Sequence, residues 1–512
     1  MKPIKYFALL FAGIFMYACD VDYYSDPNSP EIPPTYGVMN RVQKQLMLDT
    51  RDVWFSGRQS LLWMQYWNQV NYTEEDRFQY RETVNLAGWN DIYKNAQDLW
   101  DIIELNTNED TRVDMQRFGP NENQISAARI MLVYVYLHAV ETWGDVPYAS
   151  YGGDNPSFQA NQLKQETDGI DAPVYARQQD IYADMLNELA EAQANISTDD
   201  IVIQGDNFYG GDAVQWKKFA NSLRLRIANR IKHVYPAAQQ HIDAAIAAGV
   251  MESNADNAGV TFEATAVNGA PMYQGFVVEA RRDFAPSMQF VQLLQGEIGP
   301  FGVADPRLDV FVANNAQGNK VGIPLTDANN VVGAFQWESD PGAAILAPDY
   351  EEIYMEYAEV CFIMSELNGW DQQWYEAGVR ASMEKWGIPQ AQVDTYVTAL
   401  PPASAETVLT QKYIALYMQP LEAWSEYRRT GYPMTLVRPN TPYDYTFPTA
   451  EGPVTRQYTF VPIGGLTDLP ERNAYPLNEA SINETNVSAA ASAMGGNTQQ
   501  TPLWWAQKIY VN

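Results

Sequence analysis

Cysteine and histidine are scarce in this chain of 512 residues: two cysteines, Cys19 and Cys361, and three histidines, His138, His233 and His241. Two cysteines exclude a disulfide-stapled scaffold and a thiolate-rich metal site, so so large a body must hold together by packing. Basic residues are also few, 33 Lys and Arg against 63 Asp and Glu, for a formal charge of −30. Such a chain repels nucleic acid and anionic lipid at long range, and no basic stripe offsets it. Beyond the N-terminal segment, no run approaches the roughly 18 apolar residues of a membrane helix. Enzyme signatures are missing too: no HExxH, no paired CxxC, no Walker loop, no G-x-S-x-G elbow, no dinucleotide fingerprint. With 63 acidic residues, a glycosidase-like carboxylate pair can be drawn anywhere and carries no information. Asn106–Asp114 alternates oxygen ligands as a calcium loop does, but lacks the sixth-position glycine and closing glutamate. The expectation is a protein with no catalytic residue, no cofactor and no metal.

What is present begins at the N-terminus, "MKPIKYFALLFAGIFMYACDVDYYSDPNSPEIPP". Lys2 and Lys5 precede an apolar stretch, Tyr6 to Tyr17, that ends on Ala18 and Cys19, the layout of a secretory signal. At roughly 1.5 Å per helical residue that stretch covers about 18 Å, short of a bilayer core of about 30 Å. "FMYAC" is similar to the bacterial lipoprotein processing box, which makes Cys19 the expected lipidation site; two or more acyl chains anchor stably. Loss of Lys2 and Lys5 takes −30 two units further, to −32. The boundaries expected are 1–18 signal peptide, 19–34 an extended polar tether, and 35–512 one folded domain.

The body reads as mainly helical. In "WKKFANSLRLRIANRI", Trp216, Phe219, Ala220, Leu223, Ile227 and Ile231 recur at three- and four-residue steps. "QISAARIMLVYVYLHAVETWGDVPY" is apolar on almost every side, a helix buried between others and stopped at Gly144–Pro147. His138 lies in it as a core residue. Further helices are expected near 36–50, 58–71, 88–105, 176–195, 237–248, 284–296, 351–367, 370–386 and 404–428. Their pairing suggests helix–turn–helix units in the manner of tetratricopeptide repeats. Long loop-rich insertions at about 250–282 and 298–350, and the tail from 432, carry many Gly, Asn, Pro and aromatic residues. Loops this long in a compact domain point to function.

Aromatic side chains beside amides and carboxylates suit sugars, whose C–H faces stack on rings and whose hydroxyls need polar partners. "WMQYWNQVNYTEEDRFQYRE" offers Tyr66, Trp67, Asn68, Tyr72, Asp76, Arg77 and Tyr80; "GAFQWESDPG" offers Phe335, Trp337 and Asp340; the 250–282 loops offer Tyr273. Trp63, Tyr66 and Trp67 also sit near the end of an apolar stripe, where a core role is the alternative.

"ETWGDVPY", "ANSLRLRIANRI", "RRDFAPSMQFVQLL", "DPRLDVF", "YAEVCFIMSE", "EAWSEYRRTGYP" and "NAYPLNEASIN" together resemble the SusD/RagB family of outer-membrane nutrient-binding lipoproteins. The resemblance implies tetratricopeptide-like helix pairs from which long loops build a ligand face. It also implies attachment to the outer membrane, facing the exterior, and a partner, a SusC-like TonB-dependent transporter covered by the lipoprotein. The cargo it implies is an oligosaccharide, with an oligopeptide of the RagB kind as the alternative. The motif residues read as scaffold: Arg224, Arg226 and Arg230 pair with carboxylates, and Trp143 and Tyr148 pack a turn.

Overall fold

The computed structural model describes residues 32–162, 170–325 and 337–511. Cys19 and Phe335 lie outside them. The main helices are α1 (Thr35–Thr50), α2 (Glu82–Thr107), α3 (Asn121–Trp143), α4 (Gln178–Asn195), α5 (Ala213–Ile231), α6 (Ala238–Ala248), α7 (Tyr357–Leu367), α8 (Gln372–Lys385), α9 (Gln390–Ala399), α10 (Ala405–Ala415), α11 (Pro420–Thr430) and α12 (Glu484–Met494). Successive helices from α1 to α6 pack side by side, as do α7, α8 and α10. The fold is mainly helical, built of paired helices, as the periodicity indicates.

Every residue of α3 from Asn123 to Trp143 is buried, because its apolar side chains leave no polar stripe for solvent. The helix stops at Gly144, whose φ of +90° and proximity to Met494 suit glycine alone: a Cβ there would stand 2.4 Å from the sulfur. Asp212 caps α5 by accepting from the Val214 and Gln215 amides at 2.9 and 3.0 Å. Pro420 opens α11 and Gly431 closes it in the left-handed conformation.

Ionic side chains lock the helices at the centre. Arg226 Nε of α5 donates to Glu359 Oε1 of α7 at 2.9 Å, and Arg230 meets Glu141 of α3 at 3.0 Å and Glu422 of α11. Arg429 holds both Glu366 oxygens at 2.7 Å, and Lys412 reaches Glu426 at 3.0 Å. Burial opposes ionisation of Glu366, yet the Arg429 guanidinium outweighs it and keeps the carboxyl well below its ordinary range. Arg224 departs from expectation: its partner is His241 Nδ1, 3.1 Å from Nε, on the neighbouring α6. Trp143 is buried with Nε1 donating to Asn85 at 3.0 Å, and Tyr148 donates to Asp184 at 2.8 Å.

Among the described residues three two-stranded antiparallel sheets interrupt the helices: β1 (Trp67–Gln69) with β3 (Phe284–Pro286), β2 (Ala258–Thr261) with β4 (Glu351–Met355), and β5 (Pro442–Phe447) with β6 (Val454–Thr459). They correct three expected helices. The 58–71 stretch splits into short turns and β1, while 284–296 and 351–367 each begin as a strand before turning helical.

Candidate ligand face

Pairing of β1 with β3 brings together loops far apart in sequence. Trp67 faces Pro286 and Gln69 faces Phe284, and the Val70 amide continues the ladder to the Asp283 carbonyl at 2.7 Å. The 70–81 loop therefore runs beside 275–283. Arg282 and Asp340, 3.6 Å apart, tie in the 337–340 segment. This junction is strained: Gln65, Tyr72, Phe78 and Ala280 all hold positive φ, between +51° and +69°. Each such non-glycine residue costs on the order of 1–3 kcal/mol, and strain of this kind gathers at ligand sites. Residues 274–278 form a π-helical turn, another feature common at functional positions.

Charge is organised around Trp54. Buried Glu75 lies 3.4 Å from Arg58 and also takes Arg81, while Asp283 takes Arg58 at 3.0 Å and Arg281 at 3.3 Å. The Arg58 and Arg281 guanidiniums stand 4.7 and 4.5 Å from the Trp54 ring centre. Half-buried Trp54 borders a cleft of about 310 Å³ that also presents Asp49, Asp52, Arg81, Thr83 and Asp91. Burial, with Asp49 and Glu279 adding like charge, pushes the Asp52 carboxyl up to about 7. An indole surface beside carboxylates, a guanidinium and a hydroxyl can cover a sugar's C–H face and bond its hydroxyls. A larger cavity of about 440 Å³ lies further along α2, walled by Trp89, Tyr93, Pro147 and Ile482. It is mainly apolar, and of its two carboxylates, Asp171 and Glu479, the second accepts from the Tyr175 hydroxyl at 2.6 Å.

The residues read from sequence divide. Tyr66, Trp67, Asn68 and Asp76 are buried and belong to the core. Tyr66 stacks on Tyr413 at 4.5 Å, Trp67 Nε1 donates to the Tyr417 hydroxyl at 2.8 Å, and Asn68 donates to the Ile323 carbonyl at 3.0 Å. Asp76 closes its own loop by accepting from the Gln69 amide at 2.6 Å. None of the four has surface to offer a ligand, because Tyr413, Tyr417, Ile323 and the Gln69 backbone already cover or bond them. Tyr72, 61 % exposed, is the aromatic of this loop that faces solvent. Arg77 and Tyr80 are half-buried on the same loop, Trp337 is half-buried, and Asp340 is exposed. Tyr273 is half-buried and packs against the helical core, with its ring under Gly269. Trp54, Asp49, Asp52 and Arg81 were not singled out from sequence; for the first three the signal was the polar break "DTRDVW" at the end of α1.

His138 is buried in α3, where burial and the neighbouring Arg51 and Arg226 pull its imidazole down to about 3. Asn106 and its neighbours form the end of α2 and a turn, with the Asn106 amide donating to Ile102 at 2.8 Å. Among the described residues no group of three or more His, Cys, Asp or Glu side chains is placed to hold a metal, and no helix is long and apolar enough to cross a membrane.

The family model described as "Starch-binding associating with outer membrane" matches residues 27–449, and that for "Susd and RagB outer membrane lipoprotein" matches 402–506. Among solved structures, a chitin-binding protein is 25% identical with a TM-score of 0.70, over 92% of this chain and 100% of its own. A chitin-binding SusD homolog from Flavobacterium johnsoniae is 22% identical, TM-score 0.67, over 92% and 98%. A SusD homolog from Parabacteroides distasonis is 22% identical, TM-score 0.74, over 93% and 98%. No curated protein matches. With most of its length matched and the whole fold shared, the chain belongs to the SusD/RagB family of outer-membrane lipoproteins.

Proposed function

We propose that this protein is a glycan-binding lipoprotein that captures oligosaccharides outside the cell and delivers them to a SusC-like TonB-dependent transporter. Cys19 carries its lipid anchor in the outer membrane, residues 19–34 form the tether, and 35–512 the binding domain. The observation that carries the reading is the cleft beside Trp54, with Asp52, Arg81 and Thr83 around an indole, where Arg81 ties in the 70–81 loop through Glu75. Two relatives named for chitin binding support a carbohydrate cargo. The protein acts by binding, without catalysis. Two of its histidines have structural surroundings, His138 in the core and His241 beneath Arg224. Tyr72, Tyr80, Arg77, Trp337, Asp340 and Tyr273 are proposed as further ligand contacts on neighbouring loops, none of them lining the cleft itself. An oligopeptide cargo is the second reading, favoured by the carboxylates Asp49, Asp52 and Asp91, which suit a basic peptide.

Calorimetric titration against a panel of neutral oligosaccharides and peptides tests the reading. A binding oligosaccharide should lose roughly 5- to 150-fold in affinity in Trp54→Ala, from about 1–3 kcal/mol of lost ring contact. Binding of peptides alone would replace the glycan reading with the second one.

A further inference from the structure

One wall of the cleft beside Trp54 is a face of α2. Thr83, Val84, Ala87, Gly88 and Asp91 line it, recurring at three- and four-residue steps. The two smallest, Ala87 and Gly88, stand in the middle of that row. Gly88 is buried inside the helix, where alanine would be the better helix former. The reason is Phe55, which lines the same cleft from the segment after α1: a Cβ at position 88 would land on its ring, beside Cε2 and 2.5 Å from Cδ2. Neither partner can step back. α2 is held here by Asn85, which accepts from Trp143 Nε1 at 3.0 Å and donates to the Ala474 carbonyl at 3.0 Å. Phe55 is held by its amide, which donates to Asp52 Oδ1 at 2.6 Å. Its neighbour Val53 sits against a second glycine, Gly275, where a Cβ would stand 2.6 Å from Val53 Cγ2. On the core side lies buried Trp143, its ring centre 6.4 Å from that of Phe55. A displaced Phe55 ring therefore turns into the cleft. Ala87 is exposed, and nothing but its own methyl group limits the space there.

We infer that Ala87 and Gly88 are the specificity-determining residues of this cleft, a notch in α2 whose width sets how large a sugar ring can lie beside Trp54. Ala87 acts directly, by leaving the α2 wall low. Gly88 acts through Phe55, by letting the ring lie against bare backbone and out of the ligand's space. At about 310 Å³ the cleft is near the lower end of ligand pockets, roughly 300–1,000 Å³, so one larger side chain decides whether a ring enters. This rests on the glycan-binding reading above and deepens it: Asp52, Arg81 and Thr83 orient a sugar by its hydroxyls, and the notch selects it by size.

The test is calorimetry of the full-length protein with neutral probes, the β-1,4-linked tetramers of glucose, N-acetylglucosamine, mannose and xylose. Ala87→Leu puts a good helix former at an exposed position, so the melting temperature should hold while affinity for the tetramer that binds falls at least about tenfold. Ala87→Ser, nearly the size of alanine, should stay within about threefold of wild type. Gly88→Ala should lose at least about tenfold as well, but no more than about threefold when introduced into Phe55→Val, which has no ring for the new Cβ to strike. If Gly88→Ala does not fold, the Ala87 series decides alone. Wild-type affinity in Ala87→Leu, with binding still lost in Trp54→Ala, overturns the inference and leaves the glycan site standing. Wild-type affinity in both variants overturns the inference and the site together. A folded Gly88→Ala that binds as wild type, or one whose loss persists in Phe55→Val, also overturns the inference. Binding of none of the tetramers by the wild type overturns the glycan reading, and the inference with it.

Discussion

Arg226→Ala should destabilise the protein while sparing its ligand face. The side chain is 4% exposed. Its Nε donates to Glu359 at 2.9 Å, Nη2 adds a second contact to that carboxylate, and Nη2 also donates to the Tyr354 carbonyl at 3.2 Å. Without it, Glu359, itself 0% exposed, keeps only Lys412 at 3.7 Å as a cationic neighbour. Removing one partner of a buried pair costs about 3–5 kcal/mol, because the remaining charge stays desolvated. Unfolding entropy of about 2.1 cal/mol/K per residue sums to roughly 1 kcal/mol/K for a body of this length, so the midpoint should fall about 3–5 °C. Arg41→Ala is the control: its pair with Asp98 leaves the arginine side chain 52% exposed, and its loss should stay within about 1 kcal/mol. Scanning calorimetry reads the midpoints, and titration with the cognate ligand reads binding. An Arg226→Ala protein that melts with the wild type but no longer binds would refute the assignment of these arginines to the scaffold.

Further expectations follow from burial and from the N-terminus. The His138 imidazole is held down at about 3, against about 6.5 unfolded, so the unfolded state takes up a proton that the folded state refuses. Stability should fall with pH between those values, and His138→Gln should flatten that part of a melting-temperature profile. Asp52 has the opposite sign: its carboxyl is raised to about 7, so stability declines as pH rises from about 4 toward 7. The advantage of Asp52→Asn over wild type should grow across that window and then level off, in the same melting series. Cys19→Ala should abolish labelling by a fatty-acid analogue; equal incorporation would remove the lipid anchor from the account.

The helices were legible because three- and four-residue spacing is a local signal, and the buried α3 because its apolar residues cover every side. The motif arginines were legible as structural because they share a helix whose apolar face is already committed, although Arg224 found a histidine where a carboxylate was expected. Strands β1, β3 and β4 were not, since three to five residues beside a helix leave too little period to distinguish. The ligand face was half legible. Trp67 and Asn68 are the residue types a sugar site uses, yet their burial depends on β3, more than two hundred residues away. Trp54 and Arg81 share a cleft only because α1 and α2 pack together, and that too is non-local. Local pattern named the loop; pairing across the chain decided which of its side chains reach solvent.

The central claim is a location, so its most direct test is the structure of the protein with the oligosaccharide that calorimetry identifies. The account predicts a sugar ring against Trp54 or Tyr72, with polar contacts from Arg81, Asp52 or Asp340. A sugar bound elsewhere, in the apolar cavity between Trp89 and Ile482 for instance, would contradict it.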